Sequence, residues 1–254
     1  MHPLLLQIGF LKIHTYGVFV AIAFFVSYKI LIRYASGIGV EREKMETMVF
    51  WTFIISILGA RIHYVLYFLK DFIASPLEIF KIWNGGLVFF GGFIGGLTGA
   101  VYFIRKYGLR FDQMSDILAI ALSIGQAIGR LGCFFAGCCY GTRCSGIFCV
   151  VFPEDSLAPH GVELFPVQIL SSLLLFAIFW FLRYLYPKQK VSGRICAMYL
   201  MLYGIKRFFV EFLRGDFRGR YIWGLTVTQM AAICMFLAGI VLWIKLFANK
   251  TESV

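Results

Sequence analysis

Arg130 stands at the end of a long apolar run, inside Gly129-Arg130-Leu131-Gly132-Cys133-Phe134-Phe135-Ala136-Gly137-Cys138-Cys139-Tyr140-Gly141. An ionisable side chain at the border of a hydrocarbon-length helix is costly to hold, so it marks a functional candidate. A second ionisable set recurs at helical spacing: Tyr203, Arg207, Glu211 and Arg214 follow one another by four, four and three. That spacing puts them on one helix face. Glu211 is placed to bridge both arginines, and the plain reading of this ladder is an ion pair that fixes helix packing. The chemical reading is a phosphate site, because arginine's planar fork matches phosphate oxygens. Arg130, reaching the same leaflet from another helix, would supply a second fork. An outward-facing phosphate cradle inside a membrane domain most naturally meets a phospholipid headgroup.

Seven cysteines form the other chemical set, and five of them (Cys133, Cys138, Cys139, Cys144 and Cys149) fall within 17 residues. Outside the cytoplasm the default reading is disulfides; free packing thiols and a metal or redox role are the alternatives. The spacing matches no zinc or haem pattern and contains no Cys-x-x-Cys, and the pairing does not follow from sequence. His14, His63 and His160 are isolated, which suits packed or hydrogen-bonded side chains better than bases. His63 lies two residues from Arg61.

These residues must be positioned by helices in lipid. Hydrophobic residues make up 60% of the chain, with 28 phenylalanines and a mean hydropathy of +0.82. A water-soluble fold of 254 residues has no interior to hide that much apolar surface. The expected fold is all-α: a polytopic membrane protein of about seven transmembrane helices, one integral membrane domain over residues 1–254. The spans are Thr15–Ile32, Met48–Leu69, Gly85–Ile104, Met114–Leu131, Leu164–Leu182, Ile195–Phe212 and Gly224–Ile244. The charges inside them are Lys29, Arg61, Asp116, Arg130, Lys206, Arg207 and Glu211; Asp116 is one candidate partner for Arg61. Met1-His2-Pro3 lacks the basic start and small-residue cleavage site of a signal peptide, so the first run is expected to remain as a span. Basic residues gather in alternate loops (Arg33, Arg42, Lys44; Arg105, Lys106, Arg110; Arg183, Lys188, Lys190, Arg194), which puts the N-terminus outside and the C-terminus inside. The last outer loop departs from that bias with Arg214, Arg218 and Arg220. The cysteine-rich segment, about 132–163, is then an outer loop. The net charge of +11 is explained by this loop bias, and nucleic acid is not an expected partner. Gly91, Gly95 and Gly99 repeat at four-residue spacing, as do Gly92 and Gly96, a small-residue pattern for close helix packing, or for bare backbone meeting a lipid.

Read together, these residues resemble the prolipoprotein diacylglyceryl transferase family over nearly all seven spans. The resemblance rests on Tyr16-Gly17, Gly59-Ala60-Arg61-Ile62-His63-Tyr64-Val65-Leu66, Pro76-Leu77 through Trp83-Asn84-Gly85-Gly86-Leu87, and Gly91-Gly92-Phe93-Ile94-Gly95. It continues through Gly129-Arg130-Leu131-Gly132 with Gly137 and Gly141, Pro166 and Gln168, and Tyr203-Gly204, Arg207, Val210-Glu211-Phe212 and Arg214. It implies transfer of a diacylglyceryl group from phosphatidylglycerol to the lipobox cysteine thiol of a prolipoprotein signal peptide. A thioether forms and glycerol phosphate leaves, in the bacterial cytoplasmic (inner) membrane. No metal or other cofactor is implied. The resemblance assigns catalysis to Arg130, Arg207 and Glu211, and substrate binding to Arg130, Tyr16, Tyr203, Arg214, Gly91, Gly92 and Gly141. The chain departs from the family pattern at Phe90 (a histidine elsewhere), Cys133 and Ala136 (asparagines) and Cys138 (a glutamate). A base for the acceptor thiol would then be Glu211 or His63, or solvent would take the proton. The alternatives are a paralogue with another acceptor, a membrane thiol–disulfide oxidoreductase, and a non-enzymatic lipid transporter.

Overall fold

The computed structural model describes residues 3–8, 11–81, 85–216 and 221–251. Trp83, Asn84, Arg218 and Arg220 lie outside the described residues. The helices are α1 Thr15–Gly37, α2 Arg42–Tyr67, α3 Leu69–Ala74, α4 Phe89–Lys106, α5 Phe111–Ala136, α6 Val167–Leu185, α7 Arg194–Phe212 and α8 Val227–Thr251. Among the described residues three small antiparallel strand pairs accompany them: β1 Leu4–Ile8 with β2 Leu11–His14, β3 Val150–Val151 with β4 Glu163–Leu164, and β5 Tyr221–Ile222 with β6 Leu225–Thr226.

A helix overlaps each of the seven expected spans, α4, α6 and α8 starting three or four residues later than expected, and the chain is all-α in class. Among the described residues five helices are long and apolar enough to cross a membrane: α1, α2, α5, α6 with its following turn, and α8. α4 is short and glycine-rich and ends on Arg105 and Lys106, and α7 carries Arg194, Lys206, Arg207 and Glu211. Their polar content is the reason they fall short of apolar spans. Many large apolar side chains (Phe25, Phe50, Leu66, Phe93, Trp180 and Leu237 among them) are exposed on these helices, as a lipid-facing surface requires. Lys29, the single charge of α1's apolar run, lies over the Phe25 ring at 4.9 Å.

The chain divides into two compact units, Ile32–Met114 and Met1–Leu31 with Ser115–Val254. In the first, α2 and α4 meet along their small residues. A methyl group added at Gly91 would stand 2.2 Å from the Gly59 carbonyl oxygen, and one at Gly95 2.6 Å from that of Ile55. Backbone contact this close leaves room only for glycine. Ser56 adds a hydrogen bond to the Gly92 carbonyl at 2.8 Å.

Arg61, buried on α2, gathers the chain that precedes α4. Its guanidinium donates to the carbonyls of Ile79 (2.9 Å), Gly85 (2.8 Å) and Gly86 (3.1 Å) and to that of Glu78. It also lies against the rings of Tyr64 and Phe72. The expected Asp116 partnership is replaced by this carbonyl collar: Asp116 is fully buried and serves α7. It accepts from the backbone N–H of Gly193 and of Cys196, both at 2.7 Å, and from Gln189 Nε2 at 3.1 Å. Gly193 is the N-cap of α7 and Cys196 its third residue, so a carboxylate remote in sequence performs the work of a capping side chain.

In the second unit α5 is central, with Ile117, Ile120, Ala121, Ile124 and Ala127 buried. Ser27 of α1 donates to the Ala121 carbonyl at 2.9 Å, Ser172 of α6 to that of Ala127 at 2.8 Å, and Tyr199 of α7 to Gln126 at 2.9 Å. α7 and α8 approach closely at Gly204 and Gly239. α5 runs past the expected end at Leu131 to Ala136, because Gly129 and Gly132 keep helical geometry and the chain first turns to positive φ at Gly137, at +72°. The cysteine-rich segment therefore leaves the helix at Gly137, with Cys133 still helical. That segment builds a small core of Phe152, Ala158 and Leu164 under Phe134, Tyr140, Val150 and Val162, closed by a disulfide between Cys144 and Cys149.

Candidate functional site

Arg130, Arg207, Glu211, Arg214, Tyr16, Tyr203 and Gly141 all belong to this second unit. Glu211 is fully buried near the C-terminal end of α7. One carboxylate oxygen pairs with Arg207 Nη2 at 3.1 Å, and Arg214 stands 4.0 Å away. The other oxygen accepts from Thr226 Oγ1 at 3.1 Å and from Thr228 Oγ1. Thr226 and Gln229 form a reciprocal capping box at the start of α8: the Thr226 N–H donates to Gln229 Oε1 at 2.9 Å and the Gln229 N–H to Thr226 Oγ1 at 3.2 Å. Glu211 thus sits at the positive end of α8, which favours its charge.

The spacing argument expected Glu211 to bridge two arginines, and its one oxygen pairs with both, closely with Arg207 and at 4.0 Å with Arg214; Arg214 also forks onto Asp216. Arg214 Nε donates to Asp216 Oδ1 at 2.8 Å and Nη2 to Oδ2 at 2.5 Å. Sequence reasoning missed Asp216, Thr226 and Thr228. The Thr-x-x-Gln pattern before an apolar run was the signal for Thr226.

Arg130 is half-buried and lies within electrostatic reach of Tyr16, Lys206 and Arg207. It makes no hydrogen bond or ion pair among the described residues. A Cβ at Gly129 would meet nothing within 4 Å, whereas one at Gly132 would touch Phe19 and Tyr16. The two glycines of the Gly-Arg-Leu-Gly element therefore differ: Gly132 seats α1, and Gly129 leaves open space beside Arg130. Lys206 is buried, with its ammonium 5.5 Å from the centre of the Tyr203 ring and without a hydrogen-bond acceptor among the described residues. Four cations (Arg130, Lys206, Arg207, Arg214) thus face two carboxylates (Glu211, Asp216), an excess of positive charge in a partly desolvated place. Such an arrangement calls for an anion.

Gly141 is a joint of the backbone. It bridges antiparallel to Arg214, its N–H donates to the Phe165 carbonyl at 3.1 Å, and a Cβ there would stand 2.4 Å from that oxygen. This seam ties the cysteine segment to the end of α7 and fixes where Arg214 emerges. Gly91 and Gly92 belong to the other unit, where Gly91 faces Gly59 and the Cβ of His63. Phe90 is exposed on α4.

The Cys133, Cys138 and Cys139 sulfurs converge to within 4.8 Å of one another. Hydrogen bonds with the Cys133 and Cys138 thiols hold the Cys139 thiol below its ordinary range, burial opposing and the charges of Arg214 and Arg130 assisting. The Cys138 thiol is pushed up by its hydrogen bonds with the other two and by burial.

The family model for prolipoprotein diacylglyceryl transferase matches residues 3–245. The chain belongs to that family. It is 35% identical over 243 residues to the phosphatidylglycerol–prolipoprotein diacylglyceryl transferase 2 of Clostridium perfringens, covering 96% of this chain and 94% of that protein. The Clostridium tetani transferase is 32% identical, with 94% and 96% covered. The Bordetella bronchiseptica transferase is 36% identical, with 99% and 97% covered. Family membership and five membrane-length helices make this a multi-pass membrane transferase, and the oxidoreductase, transporter and divergent-paralogue readings are not favoured.

Proposed function

We propose that this chain transfers the diacylglyceryl group of phosphatidylglycerol to the lipobox cysteine thiol of a prolipoprotein signal peptide. The product is a thioether, and glycerol phosphate is released. The observation that carries the reading is the cation excess around Arg130, which suits a phosphodiester anion. Arg130 and Arg207 would hold the phosphate and stabilise the charge that develops on it as the carbon–oxygen bond breaks, stabilisation that counts for most in a site shielded from water. Both oxygens of Glu211 are engaged, by Arg207 and by two threonines. We therefore assign it to positioning Arg207 rather than to proton transfer. Tyr16 and Tyr203 would contact the headgroup from α1 and α7, Arg214 would complete the cationic wall, and Gly141 would set Arg214's place. Gly91 and Gly92 are assigned to the α2–α4 seam, with substrate contact there secondary.

In the same reading the chain forms one membrane domain in the bacterial inner membrane, with α4 and α7 as the two polar spans of seven. The N-terminus faces outward and the C-terminus inward, as the loop charges ask. The test is purified protein with phosphatidylglycerol and a lipobox cysteine peptide, following released glycerol phosphate and the peptide's mass. Both should rise together. Release without mass gain, or mass gain on a peptide whose cysteine is replaced by serine, would sink the proposal.

A further inference from the structure

Three thiols meet beside Arg130, and the backbone is built to bring them there. The Gly137 N–H donates to the Phe134 carbonyl at 3.2 Å and the Cys138 N–H to that of Cys133 at 3.2 Å, with Gly137 at φ +72°. This is a Schellman turn, which places the second residue past the helix against the third residue before its cap. Here those two residues are Cys138 and Cys133. Cys139 then takes φ +57°, uncommon for a residue with a Cβ, and its sulfur joins the other two. Gln168, almost fully buried, holds the turn by donating to the Cys138 carbonyl at 3.0 Å.

Three sulfurs bound at about 2.3 Å to one zinc-class ion stand roughly 4 Å apart. The cluster's limit of 4.8 Å therefore closes on such an ion with shifts of about an ångström or less. Thiolates select soft ions over calcium or magnesium. Three thiolates on a divalent ion leave one negative charge, and Arg130 and Arg214 are in electrostatic reach to balance it. Three protein ligands also leave one of four positions open, the pattern of reactive rather than structural sites.

We propose that Cys133, Cys138 and Cys139 bind a thiophilic d10 cation of the zinc class, whose fourth position takes the acceptor thiol of the transfer reaction. This rests on the transferase reading above. The acceptor S–H gives its proton to solvent as the sulfur displaces water from the ion. The bound thiolate's electron pair then forms the bond to the glyceryl carbon carrying the phosphate ester. That carbon–oxygen bond breaks, and its electron pair leaves with glycerol phosphate. Tyr16, Arg130 and Arg214, which bear electrostatically on the cluster, are poor bases, and the ion supplies the activation they do not.

The experiment begins with reduced, chelator-treated full-length protein in detergent, equilibrated with Zn2+ and desalted. One zinc per chain should remain and shield the cluster's thiols from alkylation. Cys139→Ser and Cys133→Ser should lose it, whereas Cys196→Ser and Cys234→Ser should keep it. With Co2+ as the probe, adding the lipobox peptide should shift the thiolate absorption, and the cysteine-to-serine peptide should not. Zinc-loaded enzyme should turn over on the order of a hundredfold faster than metal-free enzyme. Equal binding by Cys139→Ser, meaning an adventitious ion only, would overturn the site, as would a folded, active protein that retains no zinc or whose cluster thiols are joined as a disulfide. Equal rates with and without zinc would overturn the acceptor role. Zinc held by the three cysteines with no transfer by either form would refute the transferase reading and leave the metal site standing.

Discussion

Arg61 and Arg130 are the same residue type at comparable helix positions, and the two units treat them in opposite ways. Arg61 spends its donors on the carbonyls of Glu78, Ile79, Gly85 and Gly86 and lies against two aromatic rings. Nothing is left over for a ligand, and its work is to hold the chain before α4. Arg130 stands beside other cations, with open space at Gly129 and no hydrogen bond among the described residues. An arginine in an apolar helix is expensive wherever it sits; whether it serves the fold or the substrate is read from where its donors go.

Four substitutions test that contrast. Arg130→Lys should have the largest effect on chemistry, a loss of about a hundredfold or more in glycerol phosphate release, with thermal unfolding unchanged. A matching fall in the unfolding temperature would make Arg130 a second Arg61. Arg61→Ala should do the reverse. It removes the donors of several part-buried carbonyls at once and should cost about 3 kcal/mol, seen as a lower midpoint and early proteolysis between residues 75 and 88. Activity per folded molecule should be kept. Gly91→Ala pushes a methyl group onto the Gly59 carbonyl and should cost about 1–3 kcal/mol, again read by thermal unfolding. Thr226→Ala should be mildest, about 1 kcal/mol for the lost cap, with a turnover deficit from a loosened Glu211 that separates it from a purely structural change.

The apolar runs were legible because lipid demands length and hydropathy, and the helices follow them closely. So was the four-residue glycine spacing, which α2 answers with Gly59. The ladder on α7 was legible in its ion pairs, since periodicity brings both Arg207 and Arg214 to Glu211, but the fork of Arg214 onto Asp216 depends on how the chain turns after the helix. Asp116 could not be read, since its partners at Gly193 and Cys196 are backbone amides that carry no side-chain signature. The thiol cluster lay between these extremes. Cys133, Cys138 and Cys139 match no metal spacing, yet Gly137 marks a helix stop that folds the last two back on the first.

Asp116 has a mechanical consequence. Arg130 is fourteen residues beyond it on α5, and Arg207 fourteen residues beyond Gly193 on α7, so each guanidinium rides at the tip of an arm about 21 Å long. The carboxylate is the pivot that joins the arms, and the Tyr199–Gln126 hydrogen bond is a strut between them. A swing of about three degrees at such a pivot displaces a tip by roughly an ångström, an error large enough to cost two orders of magnitude in rate. The accuracy of the chemistry at Arg130 and Arg207 is therefore set at the opposite end of the helices.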